Sequence, residues 1–127
     1  MFKNIAADIV YIIHVLVVLF MVCAPFMGNN ERFLFILTVP FLFFHWIIND
    51  DTCALTMIEC FLRGVPKDQS FLQRIVGPVY DPSTVHTVAK LYLIVAWVGT
   101  VHVYGVDNVI REFSSMWNQC KISFKSK

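Results

Sequence analysis

Charge is scarce in this chain and balanced where it occurs. Charged side chains are 15% of the 127 residues and the formal net charge is +1. No basic excess stands ready to neutralise a polyphosphate, so no nucleic-acid partner is expected. Metal-type cysteine spacing is absent as well: Cys23, Cys53, Cys60 and Cys120 include no Cys-x-x-Cys pair. Cys53 and Cys60 are seven residues apart, about 10 Å along a helix and beyond disulfide reach. The sequence has no internal repeat and no low-complexity tract. The features of a cleaved signal are missing too. Lys3 is the only early basic side chain, Asp8 directly precedes the apolar run, and Phe20-Met21-Val22-Cys23 lacks small residues. The first apolar segment is therefore expected to be a retained span.

What the chain does have is apolar surface. Hydrophobic residues are 57%, aromatic residues 15%, and mean hydropathy is +0.66. Three long apolar runs predict transmembrane helices near 9–27, 33–48 and 87–106, since a bilayer core about 30 Å thick takes roughly 20 helical residues. Lys90 can reach the surface along its own stem. The segment Gly28-Asn29-Asn30-Glu31-Arg32 reads as a polar turn between two antiparallel spans. The long connection 49–86 contains a short helix near 52–62, followed by Gly64, Pro66, Pro78 and Pro82 as breakers. At about 16 Å that helix is too short to cross and should be docked or re-entrant. The tail 109–127 reads as an interfacial helix with a basic end.

Three crossings put the N-terminus and the long connection on one face, A, and the short turn and tail on the other, B. Face A carries Lys3, Arg63, Lys67, Arg74 and Lys90; face B carries Arg32, Arg111, Lys121, Lys125 and Lys127. The charge rule for topology returns a tie. Depth is more informative. Asp8, Tyr11 and His14 share one helical face near A by steps of three. His45 ends the second span there, with Asn49, Asp50 and Asp51 beyond it, Glu59 and Arg63 on the short helix, and His86 at the start of the third span. Ionisable groups at membrane depth are costly and seek partners. The expected result is a structural polar cluster of Asp8, His14, His45, Asn49, Asp50, Glu59 and Arg63 that docks the short helix.

An alternative reading gives His14, His45, His86 and Glu59 a metal, or gives paired imidazoles a haem. No two of them have metal-motif spacing, so no cofactor is expected. Cys53 as a nucleophile would need a positioned base, and only His45 and His86 are near in sequence. Asp51 or Thr52 can cap the short helix, and Thr56 with Glu59 also has capping-box spacing. In the third span, Ala89, Ala96, Gly99 and Thr100 are small residues that permit close approach. His86, Lys90, Trp97, Thr100 and Tyr104 form a more polar stripe.

Cys53-Ala54-Leu55-Thr56, followed by Glu59 and Arg63, resembles the Cys-Pro-Leu-Thr…Glu…Arg stretch of an uncharacterised family of small bacterial multi-pass membrane proteins. Ser70-Phe71-Leu72, Gly77-Pro78-Val79-Tyr80 and His14 look similar as well. The version here, His-Trp…Asn-Asp…Thr-Cys-Ala-Leu-Thr…Glu, is similar to membrane proteins encoded by large DNA viruses of algae and amoebae. Ala54 stands where the bacterial proteins have Pro, which leaves the helix start to Asp51 or Thr52. The resemblance implies a compact membrane bundle and brings no activity or cofactor. The reading that follows is an all-α membrane protein with three transmembrane helices, a docked helix and an interfacial C-terminal segment. Its expected role is structural, not enzymatic: anchoring a larger assembly, which by the viral resemblance is the inner membrane of a virion beneath its capsid proteins. Its partners are then membrane lipids and other membrane or capsid proteins, met in part through Lys121, Lys125 and Lys127.

Overall fold

In the computed structural model, residues 1–66, 73, 75, 77–79 and 81–125 are described. Lys67, Ser70, Phe71, Leu72, Arg74, Tyr80 and Lys127, named above, lie outside the described residues. Among the described residues there is no strand. Among the described residues, five α-helices are complete: α1 (Phe2–Cys23), α2 (Asn29–Ile48), α3 (Ala54–Arg63), α4 (Pro82–Tyr104) and α5 (Val106–Lys125). A 3-10 turn, Ala24–Phe26, extends α1. Three segments, Phe2–Phe26, Asn29–Ile48 and Pro82–Tyr104, are long and apolar enough to cross a membrane.

α2 ends at Ile48 as expected, while several other boundaries differ from the sequence-based expectation for local reasons. α1 starts seven residues early, because 2–8 contain no glycine or proline to stop the helix. Asp8 therefore sits inside α1 rather than ahead of it. Most of the expected polar turn is the first turn of α2, with Gly28 as its N-cap. Pro82, expected as a breaker, instead begins α4. Asp81 accepts from the Thr84 backbone N–H at 3.0 Å and from the Thr84 hydroxyl, and Pro82 occupies the first turn, where its missing N–H costs nothing. The Thr84 hydroxyl, and then its N–H, hold the Asp81 carboxyl below its ordinary range. The cap is thus fully formed above the usual Asp pKa and is lost only as pH falls through that lower value. α4 ends at Gly105, whose φ of 90° suits only glycine. The C-terminal helix consequently begins at Val106 rather than 109.

The spans pack through a small apolar core of Met21, Ala24, Phe35, Val39 and Leu93, flanked by Phe20, Leu42, Phe43, Trp46, Tyr92, Ala96 and Trp97. Phe35 is fully buried, while Phe41 and Phe44 on the same helix are exposed. In a bilayer those exposed rings meet acyl chains, so their exposure carries no hydrophobic penalty.

Two hydrogen bonds from α4 explain how the spans are held in register. Pro40 lies inside α2 and has no N–H to give the carbonyl four residues back, at Ile36. The indole Nε1–H of Trp97 donates to that carbonyl at 2.8 Å. The Tyr92 hydroxyl likewise donates at 2.7 Å to the carbonyl of Val22, in the last turn of α1, where helix carbonyls lack intrahelical donors. Backbone groups at membrane depth must find such partners within the protein. Phe33 and Tyr104 stack with ring centroids 6.1 Å apart and add a contact near face B.

Candidate functional site

α3 does not join the α2–α4 core. It packs along α1, running antiparallel to it. Arg63, its last residue, donates through Nη2 to Asp8 Oδ1 at 2.6 Å, while Glu59, one turn earlier, lies within electrostatic reach of His14, six residues further along α1. Arg63 Nε also donates to Glu59 Oε1 at 3.0 Å. One guanidinium therefore clamps two carboxylates from two helices. Their surroundings differ sharply: the Glu59 side chain is 3% exposed and that of Asp8 64%. The hydrogen bond to Asp8, opposed by burial and helped by Glu59, raises the Arg63 pKa above its already high ordinary value. The group thus stays charged at any physiological pH. Ala7, His14, Thr56, Glu59 and Cys60 are buried along these two helices.

At the other end of α3 stands a second polar group. His45, in the last turn of α2, accepts the Ala54 backbone N–H at its Nε2 at 2.9 Å. An accepting Nε2 carries no proton, so the neutral ring is protonated at Nδ1. Asn49 lies 3.0 Å from that Nδ1. The Asn49 amide is then best oriented with its oxygen toward the ring, an orientation set by the hydrogen-bond logic. The cap expected from Asp51 or Thr52 is not made. Cys53 occupies the N-cap position without a side-chain bond, and a histidine from the preceding helix supplies the acceptor instead. Thr56 and Glu59 are buried inside α3 and do not form its start.

The turn between α2 and α3 explains the Asn49-Asp50-Asp51 run. Asp50 and Asp51 have φ of 49° and 58°, two successive non-glycine residues in the left-handed region. Asp and Asn tolerate that region best. The Asp51 N–H returns to the Trp46 carbonyl at 2.9 Å and closes the end of α2. Lys90 of α4 then reaches Asp51 at 2.7 Å. Both side chains are substantially exposed, so the pair contributes only about 0–1 kcal/mol. Asp50 is exposed and offers its carbonyl to the Thr52 hydroxyl.

Of the residues singled out in the sequence, Asp8, His14, Glu59 and Arg63 are thus brought together at one end of α3, and His45 and Asn49 at the other. His86 is half-buried in the first turns of α4. Among the described residues, no three His, Cys, Asp or Glu side chains converge in a metal-binding arrangement. None of the four cysteines is in a disulfide. Sequence reasoning missed the Pro40–Trp97 pairing, although a proline inside an apolar span is itself the signal that some donor must answer a freed carbonyl.

The imidazole cap on α3 predicts a modest but specific effect at His45. Replacing it with Ala removes the acceptor for Ala54 and should cost about 1 kcal/mol, the usual value of an N-terminal cap. Faster hydrogen exchange at the α3 amides is the expected readout. His45→Gln, which retains an acceptor, should recover part of the protection. Equal exchange in both variants would mean that the imidazole does not hold the helix.

Set beside known protein families, curated proteins and solved structures, the chain matches none.

Proposed function

We propose that this chain is a structural integral membrane protein that anchors a larger assembly, with α5 as the anchoring element. The observation that carries this reading is the state of α5. It is a 20-residue helix with no buried residue, and every position from Ile110 to Lys125 is exposed. Val106, Ile110, Phe113, Trp117 and Phe124 recur at helical spacing and form an apolar stripe. Lys121 and Lys125, four apart, flank it, and Lys121 lies over the Trp117 ring at 5.7 Å. A helix this amphipathic has little stability without something to cover its stripe. Interfacial lipid and the surface of a neighbouring protein both suit it. The resemblance around Cys53–Thr56 favours a virion as the assembly, with this chain a minor capsid component in the inner membrane.

Truncation after Gly105 should leave membrane insertion intact, because the three spans lie upstream. It should abolish co-purification with the assembly. Lys121→Glu combined with Lys125→Glu should weaken that association about tenfold or more, since each basic residue near an anionic surface contributes about 1 kcal/mol. The effect should shrink at high salt. Full retention of the truncated chain in the assembly would sink this reading.

A further inference from the structure

A second surface lies at the face-B end of the spans, apart from α5. Pro25 and Phe26 from the 3-10 turn, Arg32 from the first turn of α2, and Ala96, Gly99, Thr100 and Val103 from α4 line a groove of about 400 Å³. That size falls within the range of ligand clefts, roughly 300–1,000 Å³. Its floor is apolar in effect. The one hydroxyl there, on Thr100, is already donated to its own helix at the Ala96 carbonyl, 2.6 Å away. Gly99 opens onto empty space, with no atom within 4 Å of where a Cβ would stand. Phe26 and Val103 are largely exposed at the rim. From Val103 to Ala96 the groove runs seven residues along α4, about 10 Å toward the bilayer centre.

Arg32 sets the chemistry at the mouth. Its Nε donates to the Pro25 carbonyl at 3.1 Å, which fixes the guanidinium beside the groove. Among the described residues it forms no ion pair, in contrast to Arg63 and Lys90. The neighbouring Glu31 folds back over Gly28 instead. A cation at the edge of a bilayer, with an acyl-sized apolar channel leading inward from it, matches an amphiphile with an anionic head. Arg is suited to phosphate through its fork of parallel N–H donors. We propose that this groove binds one membrane phospholipid, its phosphate on Arg32 and an acyl chain along Ala96, Gly99 and Val103. The competing occupant is a span of a second copy, packed on the same small residues. Charge argues against it. A two-fold contact across the groove brings Arg32 near Arg32 at the same depth, a like-charge juxtaposition.

The test uses the full chain, purified in mild detergent and exchanged into nanodiscs of phosphatidylglycerol, phosphatidylcholine or phosphate-free diacylglycerol diluted in an inert lipid. Native mass spectrometry reads bound lipid per chain. The wild type should retain one phospholipid through a delipidating wash, with either headgroup, and no diacylglycerol. Gly99→Leu fills open space and should abolish retention. Arg32→Gln removes the charge while retaining a donor for Pro25, and should weaken retention roughly tenfold, the scale of one charge-assisted hydrogen bond. Melting curves of both variants check that the bundle is intact; if Gly99→Leu fails that check, Arg32→Gln alone decides. Unchanged lipid retention in Arg32→Gln overturns the proposal. So does a shift from dimer to monomer in Gly99→Leu with lipid retention unaltered, which would assign the groove to a second copy. Neither result bears on α5, whose truncation leaves this groove in place.

Discussion

Arg63→Ala should lower the unfolding free energy of the detergent-solubilised protein by about 3–5 kcal/mol, the usual cost of removing one member of a buried ion pair. The size of the effect comes from Glu59, whose carboxylate is buried and receives the Arg63 Nε–H at 3.0 Å. Asp8→Ala should cost no more than about 1 kcal/mol, because Asp8 is largely in solvent and exposed pairs contribute little. Arg63→Lys should fall between, since a single ammonium cannot reproduce a fork that serves two carboxylates at once. Glu59→Leu combined with Arg63→Leu should recover much of the loss, as apolar replacement of a buried pair often does. Thermal melts of the four variants check the series. A melting curve for Arg63→Ala that overlays the wild type would place the guanidinium in solvent and undo the clamp.

The second large effect is expected where a proline and a tryptophan answer each other. Trp97→Phe retains the ring and removes the donor, leaving the Ile36 carbonyl without its 2.8 Å partner. Such a buried orphan costs about 1–3 kcal/mol. Pro40→Ala restores an N–H to α2 and gives that carbonyl its ordinary helical partner. In the Pro40→Ala background, Trp97→Phe should therefore cost only a few tenths of a kcal/mol, for a slightly altered ring. Four melting curves make the cycle. Equal costs for Trp97→Phe in both backgrounds would show that the indole does not serve that carbonyl.

Much of the fold was legible because the bilayer imposes coarse and strong rules. Run length marked the three segments that are long and apolar enough to cross, and the brevity of 52–62 marked α3 as too short to do so. The ends were less legible because they depend on single residues whose roles invert with context. Pro82 reads as a stop from upstream and as a start once Asp81 caps it. Gly105 is one residue among many apolar ones, yet its positive φ separates α4 from α5. At the polar site, the depth of Asp8, His14 and Glu59 along the chain suggested a shared location. That His45 would cap α3 was not legible, since nothing local to Ala54 announces an acceptor nine residues earlier on another helix. The pairing of α3 with α1 rather than with its neighbour α2 was equally hidden, because it depends on side chains more than fifty residues apart.

That pairing has a consequence for biosynthesis. A ribosome releases α1 long before it releases Arg63, so the α1 face that carries Asp8 and His14 is made with no helix yet present to cover it. At about 5–20 residues per second, the 40 or so residues between the two segments take several seconds to appear. α3, at about 15 Å, cannot insert as a span of its own. Its docking must therefore come after α2 has crossed, as the second step of a two-stage assembly in which insertion precedes helix association. For those seconds the nascent chain is a half-finished hairpin with an uncovered polar stripe. The tempo of translation, more than any surface of the finished bundle, sets how long it is open to mispairing with other nascent spans in the same membrane.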